Sequence, residues 1–193
     1  MRAALRGARR LYHRPLSDCD LPIAMNKPDL SENLPRPRYR LYWEDFPAGQ
    51  VREFGGMTVR REDIMDFAAR YDPQPFHLDD AAACDTPFGG LVASGWHTCA
   101  LAMRMMCDAY LLDSASLGSP GLDNLRWVAP VRPDDTLRVR LTVLAARVMR
   151  SKPSIGLIDS RWEVFNQRDQ LVLEMRGWGM FARRPAAPDR EAP

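Results

Sequence analysis

Residues 96–112, WHTCALAMRMMCDAYLL, carry apolar side chains round nearly the whole circumference of a helix. A helix of that kind is buried on most sides rather than laid on a surface. After it the period changes to two. The runs DNLRWVAPV, DTLRVRLTVLAARVM, SIGLIDSRWEVFNQ and LVLEMRGWGMFARR alternate as strands, separated by Pro-Asp-Asp, Ser-Lys-Pro-Ser and Asn-Gln-Arg-Asp-Gln turns. Consecutive strands with short connections predict an antiparallel meander. A curved antiparallel sheet wrapped around one buried helix, an α+β fold, accommodates both patterns.

The segment before the long helix supplies shorter elements. YWEDFPAGQ ends in a turn, and VREFGGMTV (51–59) alternates as a strand. Thr58 reads as the N-cap of REDIMDFAARY, in which Ile64, Phe67 and Ala68 repeat at helical spacing. DPQPFH (72–77) cannot continue that helix, because Pro73 and Pro75 lack an N–H and push the residues before them to extended geometry. LDDAAACD reads as a short helix, and TPFGGLVASG as a glycine-bearing loop into the long one.

These elements place one domain at 41–184, with an N-terminal extension over 1–40 and a C-terminal tail over 185–193. The net charge of +2 is uneven: residues 1–40 carry nine Lys/Arg against four Asp/Glu, so the domain itself is slightly acidic. A nucleic-acid binder would place its basic excess in the domain. Residues 1–17 hold five arginines, no acid and no long apolar run, which excludes a standard secretory signal. A mitochondrial-type presequence and an upstream extension with Met25 as the alternative start both remain open. Arginine outnumbers lysine 25 to 2 over the whole chain, so arginine here says little about targeting. The expected compartment is the cytoplasm, or the mitochondrion if residues 1–17 are a presequence. Cys19, Cys84, Cys99 and Cys107 form no C-x-x-C pair, and a reduced protein is the simpler reading. Arg104 and Asp108 interrupt the most apolar stretch, so no membrane span is expected.

Asp72 and His77 are the pair best suited to chemistry. A carboxylate and an imidazole can each accept a hydrogen bond from one water, and histidine titrates near neutrality. Their spacing through an extended segment does not by itself make them converge, and Asp72 as a turn cap beside a loop histidine is the plainer alternative. GGLVASG opens the long helix, where free N–H groups favour developing negative charge, although plain turn glycines would read the same. It is neither a P-loop nor a dinucleotide fingerprint. Ser94 lacks the G-x-S-x-G context of a nucleophile, since position 92 is Val92. The three histidines, at 13, 77 and 97, have no metal-ligand spacing, and Met103, Met105 and Met106 read as core filler.

Tyr71-Asp72-Pro73-Gln74-Pro75-Phe76-His77, Thr86-Pro87-Phe88-Gly89-Gly90 and Val92-Ala93-Ser94-Gly95 together resemble the signature of MaoC-like dehydratases, the (R)-specific enoyl-CoA hydratase family, over about Leu41 to Arg184. The resemblance implies a single hot-dog fold, a homodimer or higher homo-oligomer with the acyl-CoA site at its interface, and reversible addition of water across the 2,3 double bond of a trans-2-enoyl thioester. It makes Asp72 and His77 the catalytic residues that hold the water, and the Gly95 N–H the oxyanion donor. Gln74, Phe76, Ser94, Trp96 and His97 are candidates for the substrate pocket. No cofactor or metal is implied, the CoA thioester being the substrate, and neither nucleic acid nor membrane is an expected partner. The chain departs from the family pattern with Gln74 for Asn, Ser94-Gly95 where many members have His-Gly, and Met103 where many have a serine on the central helix. The last change removes a polar support for the site. The bulk of Trp96 would narrow an acyl pocket and favour short or branched chains. Arg104, Arg126 and Arg132 are unranked candidates for a CoA phosphate. Two other readings stay open: a hot-dog acyl-CoA thioesterase, disfavoured by the lack of Asp or Glu over 96–107, and a non-catalytic acyl-CoA-binding subunit.

Overall fold

The computed structural model describes residues 39–185, so the expected extension and tail lie, except for their innermost residues, outside the described residues. Strands β1 (Val51–Thr58), β2 (Ser116–Trp127), β3 (Thr136–Val148), β4 (Ile155–Phe165) and β5 (Leu171–Ala182) form one antiparallel sheet in the order β1-β3-β4-β5-β2. The alternation on β3 decides which face turns inward. Leu137, Val139, Leu141 and Val143 are fully buried, while Arg138 and Arg140 reach carboxylates on the other side. The inner row belongs to the same core as Ala102, Met105 and Met106 of helix α3 (Gly95–Met106). Helices α1 (Arg61–Tyr71) and α2 (Asp80–Cys84) lie between β1 and α3 in the chain.

Three expectations are corrected. Thr58 is the last residue of β1 and not a helix cap; α1 begins after Arg60, whose guanidinium is bonded to Asp63 in the first turn. The long helix is not uniform to residue 112. It gives way to a π-turn at Cys107–Leu111, in which Tyr110 is buried edge-on to Phe46 and Phe54 and accepts the Trp162 indole N–H. As expected, α3 is buried on most sides, and Trp96, Ala100 and Met103 form the one exposed apolar stripe. Finally, β2 starts earlier than its alternation indicates and pairs with β5 rather than with β3. It is an edge strand, and register shifts around Gly118 and Gly121 absorb the Ser-Pro-Gly sequence that hides its start. Pro120 is tolerated there because an edge does not need every N–H. The meander holds for β3, β4 and β5 alone.

Among the described residues no helix is long and apolar enough to cross a membrane. Cys84, Cys99 and Cys107 are free thiols.

Candidate active site

Pro73 stops α1 by denying helical geometry to Asp72, whose N–H still closes the last turn onto Ala68 O at 2.9 Å. Pro75 then opens a 3₁₀ turn, Pro75–His77, at the position where a missing N–H costs nothing. That turn, rather than an extended segment, folds His77 back toward Asp72. The His77 Nε2 to Asp72 Oδ2 distance is 3.4 Å, with His77 buried and Asp72 partly buried.

A second segment clamps both side chains. His77 Nδ1 lies 2.7 Å from the carbonyl oxygen of Val92. A carbonyl only accepts, so Nδ1 carries the hydrogen, and in the neutral ring the Nε2 lone pair faces Asp72. Ser94 Oγ donates to Asp72 Oδ2 at 2.6 Å, and Gln74 Nε2 donates to Oδ1 at 2.7 Å. Ser94 Oγ also accepts the Trp96 N–H at 3.2 Å, as the N-cap of α3. The Ser94 hydroxyl first, and the Gln74 amide after it, hold the Asp72 carboxyl below the usual carboxylate range against partial burial, with His77 adding to the pull. The polar support expected to be lost with Met103 is thus supplied by Ser94, twenty-two residues beyond Asp72 in the chain.

Of the residues singled out from the sequence, Asp72, Gln74, His77 and Ser94 are joined by these contacts. Phe76 stands edge-on to His77, ring centroids 4.4 Å apart, and also meets Phe88. Gly95 opens α3, and first-turn N–H groups have no intrahelical acceptor. Trp96 points outward and meets Trp127 of β2 edge-on at 5.3 Å. His97 stacks on Phe67 instead, 4.8 Å between ring centroids; it is buried, and its Nδ1 has no hydrogen-bond partner. Burial pushes the His97 imidazole down, and Asp63 pulls it partly back.

Trp127 is the residue that sequence reasoning missed. Its indole lies so closely over Gly95 that a Cβ added there would come within 2.4 Å of the ring. Alternation marked Trp127 as a strand residue, but nothing in the sequence tied it to position 95, because that contact depends on where β2 sits in the sheet. Among the described residues no group of three or more His, Cys, Asp or Glu side chains is placed to hold a metal ion.

A profile of the MaoC-like domain matches residues 45–157, more than half of the chain. The chain belongs to the MaoC-like dehydratase family. The crystal structure of a MaoC-like dehydratase from Rhodospirillum rubrum is similar, with 38% identity and a TM-score of 0.71, covering 76% of this chain and 99% of that one. The 3-hydroxybutyryl-CoA dehydratase of Methylorubrum extorquens is 31% identical over 108 residues, which is 53% of this chain and 64% of that protein. This MaoC-like chain therefore spans just under two thirds of that relative. A Mycobacterium tuberculosis protein with a double hot-dog fold is 25% identical with a TM-score of 0.59, over 79% of this chain and 46% of that one. The five-stranded antiparallel sheet around α3 is a hot-dog fold, as the sequence led us to expect.

Proposed function

We propose that this MaoC-like protein is a hydro-lyase that interconverts a trans-2-enoyl-CoA and the (R)-3-hydroxyacyl-CoA. The observation that carries the reading is the 3.4 Å approach of two hydrogen-bond acceptors, His77 Nε2 and Asp72 Oδ2. A water beside them can donate one hydrogen to each. In hydration its oxygen bonds to C3 while the C2–C3 π pair moves toward the thioester, and the charge gathers on the carbonyl oxygen. The Gly95 N–H, at the positive end of α3, is the donor for that oxygen, a role commonly worth about 3 kcal/mol. The proton leaving the water goes to His77 Nε2, because both Asp72 oxygens are already hydrogen-bonded and a carboxylate so held is the poorer base. Asp72 then faces an imidazolium, and the same proton passes to C2, so one water has been added in total. Dehydration is the reverse.

The family includes proteins named as dehydratases, among them the M. extorquens relative, and α3 contains no Asp or Glu that would activate water against the thioester itself. The exposed stripe Trp96–Ala100–Met103 and the open edge of β2 support a homodimer. Loss of enoyl-thioester absorbance with crotonyl-CoA and a panel of longer 2-enoyl-CoAs tests the reading, with folded Asp72→Asn and His77→Gln variants alongside. Turnover that falls at least ~100-fold in both variants is expected of an acid–base pair. Release of free thiol instead, or no turnover of any enoyl-CoA, overturns it.

A further inference from the structure

Most arginines of the domain are engaged by carboxylates. Arg104 is paired with Asp108 at 2.8 Å on one turn of helix. Arg126 precedes Trp127 on β2, and since Trp127 turns toward Gly95, Arg126 projects from the opposite face of the sheet. Arg70, on the last turn of α1, forms no side-chain hydrogen bond among the described residues. Arg132 differs from all three. Among the described residues no carboxylate forms an ion pair with it, yet its guanidinium is anchored by one N–H to the Phe88 carbonyl at 2.5 Å. A Cβ at Gly90 would lie 3.4 Å from the other terminal nitrogen, so the absence of a side chain there keeps that side of the fork open.

The place of this cation matters as much as its freedom. Val131, immediately before it, accepts the Ala93 N–H at 2.9 Å, and Val92 is the residue whose carbonyl holds His77. Phe88 packs on Phe76, and Phe76 on His77. Gly90 is two residues from Val92, which is at most about 7 Å of extended backbone. Arg132 therefore stands at the rim of the Asp72–His77 site, one loop outward. A substrate whose thioester lies at that site extends outward through its pantetheine arm to a phosphate.

We infer that Arg132 binds the phosphate on the pantetheine arm of the thioester substrate, through the guanidinium donors not used on Phe88. The inference rests on the thioester reading above and adds the group that recognises the carrier. The phosphate ester is common to CoA and to the prosthetic arm of an acyl carrier protein, and a planar fork with donors to spare suits it better than a point charge.

Calorimetric titration of the full chain with CoA, 4′-phosphopantetheine and pantetheine tests this without turnover. Arg132→Gln keeps a donor for the Phe88 carbonyl while removing the charge, and Arg132→Lys keeps the charge without the fork. The wild type is expected to favour both phosphorylated ligands over pantetheine. Arg132→Gln should lose about tenfold on these alone, what one charge-assisted hydrogen bond is worth, and Arg132→Lys less. A loss confined to CoA overturns the inference and moves the contact to the nucleotide phosphates. An unchanged phosphate preference in Arg132→Gln, or equal weakening of all three ligands, overturns it while leaving the hydratase reading intact. A wild type that binds none of the three overturns both.

Discussion

Ser94 donates its hydroxyl to the same Asp72 oxygen that faces His77 Nε2, 2.6 Å on one side and 3.4 Å on the other. The same hydroxyl accepts the Trp96 N–H. One side chain therefore starts the central helix and fixes the carboxylate. Ser94→Ala removes the main cause of the low Asp72 pKa, so Asp72 protonates at higher pH. The acid limb of the pH–rate profile is expected to move upward, with about 1 kcal/mol of stability lost through the missing cap. Ser94→Thr restores both. A pH profile unmoved by Ser94→Ala would mean that Asp72 ionisation does not govern the rate.

Gly95→Ala drives a methyl group into the Trp127 indole. Overpacking of this kind costs about 1–3 kcal/mol. Trp127→Ala in the same chain removes the obstacle, so the two substitutions are expected to be clearly less damaging together than their sum. A thermal-unfolding double-mutant cycle measures the coupling, and strict additivity would place the indole elsewhere.

His97 carries a pH dependence of stability. Its pKa in the folded chain lies below the ordinary 6.5, with desolvation as the cause. Above 6.5 the ring is neutral folded or unfolded. As pH falls below that value the unfolded chain gains the proton first, and stability is lost until the folded pKa is passed. Melting curves from pH 7.5 to 5 should fall more steeply for the wild type than for His97→Phe, which keeps the stack on Phe67. Identical slopes would assign the acid sensitivity to other groups.

Met103 is half exposed on the apolar stripe of α3. Met103→Glu places a charge on the face through which the homodimer is proposed to form. Light scattering on a folded sample is expected to give the mass of one chain for this variant and of two for the wild type. A variant that keeps the mass of two chains would move the interface to another surface.

Much of this site is legible in the residues, because its central pair is local. Asp72, the two prolines and His77 lie in one short run, and the chemistry of proline alone requires α1 to stop there. The helix start at Ser94–Gly95 was equally readable. What the sequence could not convey is long-range. The Ser94–Asp72 bond joins residues 22 apart, and the Val92 clamp on His77 spans 15. The Trp127–Gly95 contact needs β2 to pair with β5, whereas short turns suggested a simple meander. The first half of β2 was hidden because Gly118, Pro120 and Gly121 interrupt its alternation at the sheet edge, where interruptions are cheap. Apolar residues all round 96–112 led us to expect a helix buried on most sides, which it is; they could not tell which side is left uncovered.

Only four residues separate Asp72 from His77, and two of them are prolines. The nearness of the two groups is therefore a matter of covalent connectivity and one rigid turn. Their aim depends on a different piece of chain, Val92 to Ser94, tied down through Val131. Warming loosens these two contributions unequally: alignment yields first and proximity survives. Catalysis is thus expected to decline by degrees ahead of the melting midpoint, bending the Arrhenius plot while the sheet is still intact, and to recover on cooling.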